Sequence, residues 1–159
     1  MNLKQFTTQV ATTGGATYNI VTGDMPTSGY ASSMKEHGKV VTLPDNWTAL
    51  STDDKEQYIK QHILDFIVTN GPQLETSWDY IGAWKHENTI CLDVTRVFDD
   101  LYDAVLFGIL NNQKAIYDFN RGESIELPEG QTHGTMTQAM DYAKMTATAI
   151  TNNIIHKLI

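Results

Sequence analysis

Two aspartates, Asp93 and Asp118, sit in stretches whose neighbours favour strands. A carboxylate in such a run must either face water or find a partner. In Thr89-Ile-Cys-Leu-Asp-Val-Thr-Arg-Val97, the period of two puts Ile90, Leu92 and Val94 on one face and Cys91, Asp93 and Thr95 on the other. Arg96 falls on the face opposite Asp93 and is not its obvious partner. If the strand carrying Asp118, Lys114 to Phe119, lay beside this one, two carboxylates on one sheet face could bind a metal or divide acid and base work. The alternative is a pair of solvated strand-face carboxylates. Tyr30, Trp84, Tyr117, Asn112 and Gln113 could add stacking and amide hydrogen bonds to a ligand over that face, although the same residue types also serve as core and as helix-end caps.

Other chemistry leaves little trace. The chain has no H-E-x-x-H, no Gly-rich phosphate loop before a helix, no G-x-S-x-G and no metal-spaced cluster of Cys or His. Gly14-Gly15 lacks the residues that would make it a nucleotide motif and reads as a turn. His37, His62, His86, His133 and His156 are scattered over separate segments, and His62 shares the apolar stripe of a helix, where a satisfied core histidine is the plain reading. Cys91 could be a nucleophile only if a neighbour lowered its pKa, and a small buried residue in mid-strand is the simpler account. No catalytic residue, metal set or cofactor is assigned.

The elements that must position these residues are readable from pattern. Tyr80 to His86 and Thr89 to Val97 form two paired strands joined by a tight turn at Glu87-Asn88, where Asn tolerates positive φ. Ser51 or Thr52 starts a helix in which Ile59, His62, Ile63, Phe66 and Ile67 keep helical spacing until Asn70-Gly71-Pro72. Phe98, Leu101, Tyr102, Val105, Leu106, Ile109 and Leu110 mark a second amphipathic helix that packs on the sheet. Lys114 to Phe119 is a strand, turned by Asn120-Arg121-Gly122 into Glu123 to Leu127. Upstream, Ala16 to Val21 and Thr27 to Ser32 suggest a hairpin, Met34 to Gly38 a turn, and Lys39 to Leu43 a further strand. Met136, Ala139, Met140, Ala143, Ala147, Ile150, Ile154 and Leu158 trace a long terminal helix.

The fold expected is α+β, an antiparallel-dominated sheet with two packed helices and a long C-terminal helix. Its parts are a weakly structured N-terminal arm over 1–13, an α+β domain over 14–127, a linker over 128–134 and the helix over 135–159. The terminal helix either closes the domain or joins a second copy of the chain. Its large apolar side chains, Met136, Met140, Ile150, Ile154 and Leu158, are expected to be buried, with the alanines permitting close approach.

With 159 residues, the chain is long enough for one substantial core. Its net charge of −8 argues against direct nucleic-acid binding, which draws its affinity from clustered Lys and Arg. An acidic surface keeps a protein soluble, and it also suits a basic partner or imitates a nucleic-acid backbone. No apolar run approaches the roughly 20 residues of a membrane span, and no secretory leader is evident, so a cytoplasmic setting is expected. Cys91 is the single cysteine, which excludes an internal disulfide and a cysteine-based zinc cage.

Four segments together resemble small, poorly characterised proteins and domains of bacteriophages and other mobile elements. They are Thr27-Ser-Gly-Tyr30, Tyr80-Ile-Gly-Ala-Trp84, Leu92-Asp-Val-Thr-Arg-Val97 and Asn112-Gln-Lys-Ala-Ile-Tyr-Asp118. The likeness runs from about Gly14 to Ile125 and omits the terminal helix. It implies a mixed α+β domain in a mobile-element setting and brings no established reaction. Its matched positions are Tyr30, Trp84, Asp93, Asn112, Gln113 and Asp118. The leading expectation is an accessory protein of the host-cell cytoplasm that binds a host protein, as an acidic inhibitor of a defence or nucleic-acid-handling system. The alternatives are a small hydrolase or nucleic-acid-processing enzyme using the Asp93 and Asp118 face, and a self-associating structural or virion component.

Overall fold

A computed structural model describes residues 3–128 and 134–158 of the chain. The fold is α+β. It comprises α1 (Leu3–Thr13), β1 (Gly15–Tyr18), β2 (Tyr30–Thr42), α2 (Thr52–Asn70), β3 (Asp79–His86), β4 (Thr89–Phe98), α3 (Leu101–Leu110), β5 (Ala115–Asp118), β6 (Glu123–Glu126) and α4 (Met136–Leu158). The six strands form one sheet in the order β1-β3-β4-β2-β5-β6. The β1–β3, β2–β5 and β5–β6 pairings are antiparallel. Contacts divide the chain into two compact units, Met1–Pro26 with Glu36–Thr95, and Thr27–Lys35 with Arg96–Ile159. The helix α4 falls in the second unit. Residues 129–133 of the linker expected over 128–134 lie outside the described residues.

In the first unit, α1 and α2 pack against each other and α1 lies on β1 and β3. Of the weak arm expected over 1–13, Leu3–Thr13 is a helix, and residues 1–2 lie outside the described residues. Its threonines satisfy their hydroxyls on the helix's own carbonyls, Thr8 on Lys4, Thr12 on Thr8 and Thr13 on Gln9. Burial of Phe6 and Val10 outweighs the weak helix propensity of the run, and the Phe6 ring stacks on Tyr18 at 5.4 Å between centroids. The helix α2 begins as its sequence indicates, with Asp54 N–H donating to Ser51 Oγ at 3.1 Å. It buries Ile59, Ile63 and Phe66. The facing strands bury Ile81 and Ala83 on β3 and Ile90, Leu92 and Val94 on β4.

Two strand expectations are revised. Gly15 to Tyr18 pairs with β3, in register Gly15 with Trp84 and Thr17 with Gly82, instead of forming a hairpin with the segment after Pro26. Met34 to Gly38 is the middle of the continuous 13-residue β2, not a turn. Its polar residues suit a strand with one wet face. In the β3–β4 turn it is Glu87, at φ 52°, and not Asn88 that takes the left-handed conformation.

The second unit is built around Ala104, Val105, Ile116, Leu127, Ala143 and Ala147. Asp100 caps α3 by accepting from Asp103 N–H at 3.2 Å. Thr135 and Gln138 form a reciprocal capping box ahead of α4, at 3.2 and 3.1 Å. The seam of α4 against α3 differs from the expected stripe. Ala139 and Ala143 are fully buried, while Met136 and Met140 remain about half exposed, at 58% and 45%. Small residues let the two helix backbones approach closely, which leaves the long methionines at the rim.

Candidate functional site

The β3–β4 hairpin fixes the chemistry of the first unit. Because Ile81, Ala83, Ile90, Leu92 and Val94 point into the core, the alternate positions Gly82, Trp84, His86, Cys91, Asp93 and Thr95 share the second face. Gly82 and Thr95 lie together there, since a Cβ at position 82 would run into Thr95 Oγ1. One step along, the indole Nε1–H of Trp84 donates to Asp93 Oδ2 at 3.2 Å. The ring of Trp84 stays 47% exposed and meets His86 at 5.7 Å between centroids. Its N–H is therefore occupied while much of its apolar surface faces solvent.

Asp93 is half-buried. Its Oδ1 lies over Gly38 of β2, only 2.9 Å from where a Cβ would stand, so the missing side chain makes a notch that receives the carboxylate. Burial pushes its pKa up, and the Trp84 hydrogen bond pulls the other way without cancelling the shift. No lysine, arginine or histidine among the described residues pairs with it. Cys91, on the same face, has its thiol pushed up by burial and then by Asp93, against a smaller opposing effect from Thr89. That environment disfavours the thiolate a nucleophile needs.

Asp118 has a different occupation. It is 1% exposed, and its Oδ1 accepts from the backbone N–H groups of Asn120 at 2.8 Å and Arg121 at 3.3 Å. Its carbonyl accepts from Gly122 N–H at 2.8 Å. The side chain thus holds the β5–β6 turn. In the sheet order β2 stands between β4 and β5, so the strands of Asp93 and Asp118 are not neighbours. The shared two-carboxylate face presupposed that they were, and it is corrected on this point.

Tyr30 is the register partner of Asp118. Its hydroxyl pKa is raised by burial first, then by Asp118 and Asp100, against Arg121. Asn112, at φ 52°, and Gln113 close α3. Their N–H groups reach Ile109 O at 3.0 Å and Gly108 O at 2.8 Å, and Gln113 Nε2 donates to Asn111 O at 3.2 Å. Of the six sequence-selected residues, the first unit brings together Trp84 and Asp93. The second brings together Tyr30 and Asp118 and assigns Asn112 and Gln113 to a helix end.

Sequence reasoning passed over Asn19 of the first unit. Asn19 is fully buried: its Nδ2 donates to Thr76 O and Asp79 O, and its Oδ1 accepts from Val21 and Thr22 N–H. An asparagine inside a β-prone run just before Thr22-Gly23-Asp24 was the available signal. His62, expected as a satisfied core histidine, lines an apolar crease with Val41, Tyr58, Ile59, Ile90 and Leu92, but its Nδ1 is buried without a hydrogen-bond partner. Among the described residues no three His, Cys, Asp or Glu side chains converge as metal ligands would. No described helix is long and apolar enough to cross a membrane. The chain matches no family model, no curated protein and no solved structure.

Proposed function

We propose that this chain is an accessory protein of phage or mobile-element type that acts by binding a host protein, and that Trp84 and Asp93 mark the docking surface. The observation that carries the reading is the half-exposed indole of Trp84, held by its hydrogen bond to Asp93 on the second face of the β3–β4 hairpin. Tryptophan supplies large contact area at little conformational cost and dominates many interfaces. Here its orientation is set before any partner arrives, which lowers the entropy lost on binding. The net charge of −8 adds long-range attraction for a basic partner and suits an inhibitor of a nucleic-acid-handling system. The resemblance of Tyr80-Ile-Gly-Ala-Trp84 and Leu92 to Val97 to mobile-element proteins supports the setting.

The test is capture from host lysate on the immobilised chain, with Trp84→Ala and Asp93→Asn as comparison baits. A stoichiometric host protein retained by the wild type and lost from Trp84→Ala, with circular dichroism and melting curve preserved, supports the reading. Equal retention by both variants removes this face from consideration. With the partner purified, association should slow as salt shortens the Debye length to about 8 Å and below.

A further inference from the structure

We propose that Trp84 and Asp93 form a receptor for a single arginine side chain of the protein partner, an inference that rests on the docking surface proposed above. A half-buried carboxylate with no cation beside it is costly to maintain, and the cost is relieved when a cation arrives. Asp93 has this character: one oxygen, Oδ2, is held by the Trp84 indole, and Oδ1 lies in the Gly38 notch without a cationic partner among the described residues. The indole N–H is turned to the carboxylate, so the ring's exposed surface and the carboxylate lie side by side on one sheet face. A planar guanidinium can stack on an indole while donating to an adjacent carboxylate. A lysine ammonium is a compact, strongly hydrated point charge and satisfies only one of these contacts well at a time. The acidic chain as a whole favours the approach of such a group.

Nitrogen-15 labelled protein, titrated with short peptides at about pH 8, provides the test. The probes are acetyl-Gly-Arg-Gly-amide, its lysine counterpart and its citrulline counterpart, which keeps the shape of arginine without the charge. Among the three tryptophan indole N–H resonances, that of Trp84 is identified by its loss in Trp84→Phe. The arginine peptide should move it saturably, with the lysine peptide weaker and the citrulline peptide weaker by roughly tenfold, the loss of one charge-assisted hydrogen bond. Asp93→Asn should erase the difference between arginine and citrulline. Equal response to arginine and citrulline, an unchanged difference in Asp93→Asn, or no response at Trp84 to any peptide overturns the inference. Lysate capture with Trp84→Ala then decides separately whether the face docks a protein by other chemistry.

Discussion

The side-chain amide of Asn19 donates to the carbonyl of Asp79 at 3.0 Å, joining the end of β1 to the start of β3 across 60 positions of sequence. The same side chain holds the 19–24 loop through the N–H groups of Val21 and Thr22, each at 2.8 Å. Asn19→Ala strands several of these groups at a fully buried site. It should lower unfolding free energy by about 3 kcal/mol, measured by urea denaturation. A loss within experimental error would show that water replaces the amide.

Burial raises the pKa of Asp93 above the ordinary aspartate value. The folded form therefore binds more protons than the unfolded form in the window from about pH 4 up to the raised folded pKa. Stability contributed by this group is present below that window and is lost as pH rises through it. Relative to wild type, Asp93→Asn should gain stability with rising pH across the window and hold the gain at neutral pH. The fluorescence of Trp84, read as the difference from Trp84→Phe, should titrate with the same midpoint. A midpoint below the ordinary aspartate range contradicts the burial seen here.

His62 shifts the opposite way in effect. Burial first, then Lys39, lowers its pKa, against a smaller effect of Asp65. The unfolded chain then binds more protons between the lowered folded pKa and the ordinary value of about 6.5, so stability falls as pH drops through that interval. His62→Leu fits the apolar crease of Val41, Ile59, Ile90 and Leu92. It should flatten this part of the melting-temperature profile and raise stability at its acid end. An unchanged profile would assign the acid sensitivity to other groups.

Gly108 inverts the usual rule for helix interiors, where replacing glycine by alanine gains about 1 kcal/mol. A Cβ there would stand 2.6 Å from Leu127 Cδ1, 3.1 Å from Ser32 Oγ and 3.3 Å from Ile116 Cγ2. Gly108→Ala should therefore destabilise by about 1–3 kcal/mol, the range of overpacked cores. Leu127→Ala in the same chain should recover part of the loss attributable to the alanine, a coupling that a double-mutant cycle reads directly.

Elements with strong local signals were legible in the sequence. The period of two in β4 and the Ser51 cap of α2 each depend on a few adjacent residues, and both appear close to where pattern places them. The meeting of Trp84 with Asp93 was not read from the sequence, although the two-residue turn that brings the two strands of the hairpin together carried its signal. The reciprocal pair Thr135 and Gln138 carried a readable signal as well.

Tertiary structure decided what depends on partners distant in sequence. The run from Leu3 to Thr13 becomes a helix because Phe6 and Val10 find a core to enter, which no local propensity records. A strand's partner is chosen by hydrogen bonding between distant segments, so β1 joins β3 and β2 enters between β4 and β5 without any mark in their own residues. That choice separates the strands of Asp93 and Asp118. Burial then commits the Asp118 carboxylate to backbone N–H groups of its own turn, while Asp93 lies in a notch that exists because position 38, 55 residues earlier, is glycine. Residue type supplied the two carboxylates, and long-range strand order gave them different work, because a buried charge takes its role from the donors that surround it.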